Sequence, residues 1–345
     1  MLGHKVSIVG TSESFVAQNY PGIIARKISA HGTGALYSRI RFKESDVLAV
    51  IEEVKPDIIF LEGWQTGVSE AFIDVLGSSR IPLVLISHGI SLHPYTFELK
   101  YFFRWIAWIP YTLKLQRRLR NLKLLSAISL NANSWRFYDR DCAAKVGVPV
   151  MLLRNSPYFS KKEFDVFSRE SRQLKVIHVG YFSDVKNQKL LINVFSYLSK
   201  NLNLTLIGDR KGTYYQECRS LVSKLGLTDR VRFAEDREVD IQHEISTAVL
   251  VCLPSKTEIK PLVLLEAMAA GTPFICFNVG ANNELRGGVT VPYGVHHFVK
   301  QTKLLIEDDK YWNQLSIEGY ADYCDNYRSE HQYCDLEKIL KNVLG

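Results

Sequence analysis

Residues 254–273 read PSKTEIKPLVLLEAMAAGTP, with Glu258 in a polar loop and Glu266 eight positions on, inside an apolar run. An ionised carboxylate only accepts hydrogen bonds, which suits it to the hydroxyls of a polyol. Pro261 suits the first turn of a helix, where its missing N–H would be unpaired anyway. Leu262, Leu265, Ala269 and Ala270 recur at helical spacing, and Gly271 ends the run. The N–H groups of residues 259–262 then point out of the helix N-terminus and attract anions. A diphosphate fits there, with Glu258 on one side and Glu266 accepting from hydroxyls on the other. Spacing alone favours a bland pair, Glu266 solvated on the helix and Glu258 capping it.

Such residues need elements that bring them to one rim. The second half of the chain alternates short apolar runs with helical patterns. The runs are VIHVG (176–180), LTLIG (204–208), VRF (231–233), VLVCLP (249–254) and PFICF (273–277), and helical turns are expected from there to about residue 307. This alternation predicts an α/β fold with a parallel, doubly wound sheet, whose ligands sit at the carboxyl ends of the strands. Gly180, Gly208, Pro254 and Asn278 all follow strands and define one rim. The first half repeats the rule less cleanly, in KVSIVG (5–10), DIIFLEG (57–63), PLVLISHG (82–89), LLSAISL (124–130) and PVMLLRN (149–155). Two Rossmann-like units facing across a cleft are expected, with the polar stretch 156–172 as linker. The expected bounds are 1–160, 161–310 and a C-terminal helical segment, 311–345, returning to the first domain.

The chain has 345 residues, long for one core and comfortable for two, with 46% hydrophobic and 23% charged residues. No apolar run approaches the roughly 20 residues of a membrane span. MLGHKVSIVG reads as a first strand, not as a signal peptide. The six cysteines show no metal-ligand spacing, so a reduced, cytoplasmic protein is expected. No metal site is read from the sequence. The net charge of +7 favours an anionic partner without choosing one.

The residues also carry a resemblance. PSKTEIKPLVLLEAMAAGTPFICFNVGANNEL resembles the Glu-x7-Glu donor-binding motif of family-4 retaining glycosyltransferases, two-domain enzymes of the GT-B fold. HVGYFSDVKNQKLLINVF resembles that family's phosphate-binding loop, and LTLIGDRKGTYYQECRSLVSKLGLTDRVRF the strand, turn and helix that follow. RNSP (154–157) resembles the element closing the first domain. The likeness is strong over 149–290 and diffuse before it.

This resemblance implies that Glu266 binds the ribose hydroxyls of a nucleotide-sugar and that Glu258 faces the transferred sugar. It implies that Lys186 neutralises the leaving diphosphate, in the loop entered at Gly180, and that the backbone N–H groups of Lys260, Pro261's neighbour Leu262 and Val263 touch phosphate and sugar. The turn at Gly208 and the loop around Glu235–Arg237 would lie beside the nucleotide. His88, at the end of PLVLISHG, would contact the sugar from the first domain; it equally suits a strand-end histidine bonded to backbone. Two positions depart from the family. Tyr181 stands where an arginine is usual, so Lys211, Arg210 or Arg154 must supply charge or the rate is modest. Ile259 stands where a glycine is usual.

Other stretches stay open. GTSES (10–14) reads as a turn or as a phosphate contact, and Trp64 and Gln65 suit a sugar or a packed rim. Residues 98–125 interleave Tyr101, Phe102, Phe103, Trp105 and Trp108 with seven cations, which suits an anionic membrane surface or a basic outer helix face. No nucleic-acid module accompanies the charge. The function expected is metal-independent, retaining transfer of a hexosyl unit from a UDP- or GDP-sugar to a glycan or glycolipid, in cell-surface polysaccharide synthesis. No cofactor is expected, the nucleotide-sugar being a substrate, and the membrane's inner face is the expected place of action. The alternatives are epimerisation or hydrolysis of the nucleotide-sugar, or binding without catalysis.

Overall fold

The computed structural model describes residues 4–10, 23–29, 42–63, 68–77, 79–88, 103, 106, 114–130, 138–157 and 169–345. The chain forms two compact units, Met1–Leu153 with Leu336–Gly345, and Arg154–Asp335.

In the first unit β1 (Val6–Gly10) and β2 (Ile23–Lys27) pair in parallel. A second parallel sheet takes β3 (Ile59–Glu62), β4 (Leu83–Ser87), β5 (Leu124–Ala127) and β6 (Val150–Leu152) in that order. Parallel neighbours need a crossover; the helix Val68–Leu76 lies between β3 and β4, and Tyr138–Lys145 between β5 and β6. Leu61, Leu85 and Leu125 pack with Ile73, Leu115 and Leu119. Val84 and Leu124, on the opposite face, pack with Ile339 and Val343 of the terminal helix Ser329–Leu344. That packing is why only Leu336–Gly345 groups with the first unit. The preceding helix, Asp309–Asn326, packs on the helix Leu262–Ala269 within the second.

The second unit is a single parallel sheet of β7 (Gln173–Val179), β8 (Asn203–Ile207), β9 (Val231–Ala234), β10 (Ala248–Leu253), β11 (Phe274–Phe277) and β12 (Gly288–Val291). Its order, β12-β11-β10-β7-β8-β9, starts at the centre, winds outward to β9, then returns to set β10 against β7. This is the doubly wound order, and the reversal places a topological switch point between β7 and β10. Both faces are covered. Val176, Leu204, Leu206 and Cys252 pack with Leu191, Phe195 and Phe298, whereas Ile177, Ile207, Val251 and Leu253 pack with Ile245, Leu264 and Met268. Strands buried on both faces read as unbroken apolar runs, which is why VLVCL was legible.

Two strands depart from the sequence pattern. GVTV, expected among helical turns, is the edge strand β12, aligned in register with Phe274–Phe277. IIARK forms β2, which no apolar run announces. The division between units falls at Leu153/Arg154, ahead of the polar stretch, because Arg154 and Asn155 bond to Asp335 and to the Lys260 carbonyl of the second unit.

One polar side chain sits inside the sheet. His178 of β7 is fully buried, its Nδ1 donating to the Cys252 carbonyl at 2.9 Å, and its Nε2 has no partner. Burial pulls its pKa down to about 4, and the nearby Lys186 charge adds a smaller push in the same direction. The folded protein therefore holds His178 neutral where the unfolded chain, near its ordinary value of 6.5, takes up a proton. Its contribution is intact above about pH 6.5 and is lost as pH falls toward about 4, a span worth about 3 kcal/mol. Denaturant melts at pH 7 and pH 5 should show a drop that is clearly smaller in His178→Gln, which keeps a donor for the Cys252 carbonyl but takes up no proton.

Candidate functional site

The loops leaving β7 and β10 meet at the switch point and are stitched together. The Lys256 N–H donates to the Val185 carbonyl at 2.8 Å, and Asn187 Nδ2 donates to the Pro254 carbonyl at 3.2 Å. Lys256 Nζ pairs with Asp184 at 2.8 Å. Buried Gln188 braces the first loop from below: its Nε2 donates to the carbonyls of Gly180 and Tyr181, at 3.2 and 3.0 Å, and its Oε1 accepts from the Ser183 N–H at 3.4 Å. Gly208, at the end of β8, lets the loop lie close, since a Cβ there would stand 2.3 Å from the Gly180 carbonyl oxygen.

On this base Lys186 Nζ reaches Glu258 Oε1 at 2.7 Å, with only 18% and 11% of the two side chains exposed. The Lys186 stem runs over Gly180, and its ammonium stands 5.9 Å from the centre of the exposed Tyr181 ring. The structure thus brings Lys186, Glu258, Gly180, Tyr181 and Gly208 together. An ammonium has three donors, so Lys186 can hold a further anionic oxygen beside Glu258.

The helix Leu262–Ala269 begins one residue later than expected. Pro261 is its N-cap in an extended conformation, φ −72° and ψ 134°, rather than a member of the first turn. Of the expected stripe, Leu265, Ala269 and Ala270 are buried, together with Val263, Leu264, Ala267 and Met268, while Leu262 is 47% exposed. Leu262 and Glu266, four residues apart, share the open face. The Glu266 side chain has no hydrogen-bond or ion-pair partner among the described residues, and burial pushes its carboxyl above the usual carboxylate range. A carboxylate that is largely buried and unpaired is costly unless a ligand supplies donors.

The remaining cations named from the sequence are already engaged. Arg210 pairs with Glu235 at 3.4 Å and with Glu238. Arg237, 76% exposed along its side chain, pairs with Glu235 at 2.5 Å. Arg154 grips Asp335 through two nitrogens, at 2.7 and 3.2 Å. Lys211 is the N-cap of the helix Gly212–Lys224. The Lys260 side chain turns inward to Glu284 at 2.7 Å, so only its backbone is open to the expected role.

In the first unit His88 follows β4, and its Nε2 bonds to Glu62 Oε1 at the end of β3. Glu62 closes the run DIIFLEG, and no local pattern marks it, because the β3–β4 pairing that brings it to His88 is not local. Residues 11–14, Trp64, Gln65 and most of 98–113 lie outside the described residues. Gln188, Asn187 and Lys256 were likewise unmarked; the only signal was the polar cluster around Lys186. Among the described residues no group of three His, Cys, Asp or Glu side chains could hold a metal ion. An Asp-x-Asp triplet passed over in the sequence, Asp139-Arg140-Asp141, lies on the helix Tyr138–Lys145, where Asp141 pairs with Arg140 at 2.9 Å.

Comparison with known proteins agrees with this topology. Residues 159–322 match the family Glycosyl transferases group 1. A curated relative, an "Uncharacterized glycosyltransferase" of Haemophilus influenzae, is 27% identical over 179 residues, 49% of this chain and 48% of its own. The chain spans about half the length of the curated relatives it matches. Among solved structures, HepE of Anabaena in complex with UDP and glucose is 19% identical with a TM-score of 0.69, over 93% of this chain and 86% of its own. Sucrose-phosphate synthase of Thermosynechococcus elongatus is 17% identical with a TM-score of 0.78, over 98% and 89%. The parallel sheets of both units have the GT-B fold, and the match to Glycosyl transferases group 1 falls on residues 159–322, all of them in the second unit.

Proposed function

We propose that the chain is a retaining glycosyltransferase that moves a hexosyl unit from a UDP- or GDP-sugar to a glycan or glycolipid acceptor, in cell-surface polysaccharide synthesis. The observation that carries this reading is the shielded Lys186–Glu258 pair across the switch point. Glu266 on the open helix face, unpaired among the described residues, supports it, as does a structural neighbour solved in complex with UDP and glucose.

In this reading Glu266 accepts from ribose hydroxyls, which supply the donors its carboxylate lacks among the described residues. Lys186 turns toward the leaving diphosphate, where charge develops as the glycosidic bond breaks. The backbone of Lys260–Val263 and the helix N-terminus beyond Pro261 add fixed positive ends of dipoles. Glu258 stays beside the sugar, and the acceptor enters on the face the diphosphate leaves. Gly180, Tyr181, Gly208 and Arg237 line the nucleotide side, and His88 contacts the transferred sugar. The reaction is proposed to need neither cofactor nor metal ion, the charge being met by Lys186 and the helix. Tyr181, neutral and exposed, favours a second reading, a protein that binds the nucleotide-sugar without transferring it.

A panel of UDP- and GDP-sugars, offered with and without a glycan and membrane-lipid extract, separates these readings. Acceptor-dependent release of nucleoside diphosphate is expected, and Lys186→Ala should lower it by about a hundredfold or more. Release without acceptor points to hydrolysis, and calorimetric binding without release points to the non-catalytic reading.

Glu266→Gln should separate stability from binding. Removing an unpaired buried charge should stabilise the ligand-free protein by about 0.5–2 kcal/mol in denaturant melts. The same change should weaken nucleotide-sugar binding by roughly tenfold or more, as bonds to a charged acceptor are lost.

An anionic membrane surface is the proposed site of action. Leu115, Leu119 and Leu122 are buried, while Lys114, Arg117, Arg120 and Lys123 are exposed and have no ion-pair partner among the described residues. Phe103 and Ile106 are exposed nearby in sequence. No helix among the described residues is long and apolar enough to cross a membrane. Each cation near an anionic leaflet contributes about 1 kcal/mol. Sedimentation with vesicles containing phosphatidylserine, but not with phosphatidylcholine alone, is expected. Replacing the four cations by glutamine should abolish it.

A further inference from the structure

Lys260 stands between Glu258 and the helix that carries Glu266, yet its side chain takes no part in the open face. It is buried, 7% exposed, with Nζ 2.7 Å from Glu284 Oε2, 3.4 Å from the Tyr327 hydroxyl and 5.2 Å from the centre of the Tyr327 ring. Tyr327 is itself buried, and burial holds its hydroxyl above the ordinary range, against the pull of Lys260. The backbone around Lys260 is held from two further sides. Asn155 Nδ2 donates to the Lys260 carbonyl at 3.0 Å. The Ala281 N–H donates to the Ile259 carbonyl at 2.7 Å, and the loop approaches so closely at Gly280, φ +61°, that a Cβ there would stand 2.0 Å from the Glu258 carbonyl oxygen.

Four segments of the second unit therefore converge on three consecutive residues, Glu258, Ile259 and Lys260. A buried ion pair is a poor way to stabilise a fold: desolvation offsets most of the attraction, and a well-packed apolar pair of similar volume is often as stable or more so. What such a pair supplies is direction. The Lys260 ammonium has to sit where Glu284 and Tyr327 meet, and this fixes the path of the backbone on either side of it.

We propose that Lys260 and Glu284 form a positioning clamp, which holds the Glu258 carboxylate and the start of the 262–269 helix at the spacing a nucleotide-sugar requires. This rests on the donor reading above and deepens it. Neither clamp side chain touches the ligand, and both act through the backbone between the two site glutamates. The geometry also accounts for the lysine in the sequence. A shorter or neutral side chain at 260 leaves Glu284, whose side chain is only 17% exposed, without its cation.

The discriminating variant is Lys260→Met/Glu284→Leu, which removes both charges together. Thermal melts and calorimetric affinities for UDP, GDP and their hexose conjugates are measured on the full chain, unmodified and doubly substituted. The clamp predicts an unchanged or higher melting temperature with affinity for the bound nucleotide-sugar lowered by about tenfold or more. Glu284→Gln, which keeps shape and a hydrogen-bonding end, should fall between the two in affinity. A double variant that melts as before and binds as tightly as the unmodified protein overturns the clamp alone. A lower melting temperature with unchanged affinity overturns it too, and makes the pair purely structural. If the unmodified protein binds no nucleoside diphosphate or nucleotide-sugar, the donor reading falls and the clamp with it.

Discussion

The reversal of strand order between β7 and β10 is the constraint on which the second unit depends. Crossovers on either side of it lead away in opposite directions, so the loops leaving these neighbouring strands have no helix of their own sheet between them. They close the gap with each other, through Lys256–Val185, Asn187–Pro254, Lys256–Asp184 and Lys186–Glu258. A cation and a carboxylate facing one another in a shielded notch follow from the winding of the sheet. The chemistry read into them uses what the topology already sets side by side.

Around that notch the protein tolerates local costs. Glu266 is largely buried without a partner, and the Nε2 of His178 is left bare inside the sheet below. Both lie within or directly beneath the loops of the switch point, whereas the sheet's two apolar faces are closely filled.

How much of this was legible in the sequence follows from the range of each interaction. The strands β7, β8, β10 and β11 declare themselves as apolar runs because both their faces are largely buried, and the helix that carries Glu266 by its spacing. β12 hides because it opens on a glycine and is only partly buried, and its pairing with β11 is decided by contacts outside it. At the site the glutamates and Lys186 could be named one by one. Their pairing could not, since it spans 72 positions. Pro261 misled by one residue because its fixed φ serves an N-cap as well as a first turn. Exposure of Leu262 was invisible for a similar reason: an apolar residue at helical spacing reads as core until the neighbouring loop is known. The Lys260–Glu284 pair left no local signal at all, since the acidic partner lies 24 positions on, in a turn.

The grip of Arg154 on Asp335 bears on how the chain is assembled. Arg154 is where the chain enters the second unit and Asp335 is where it leaves, and their side chains meet at 2.7 Å with Asp335 almost wholly shielded. The second unit is thus an insertion whose two ends touch. For the first unit, everything from Arg154 to Asp335 behaves as a loop already closed at its neck, so the entropy of bringing Leu153 near Leu336 is met by the inserted unit's own folding. The arrangement is that of a domain spliced into a host at a single point.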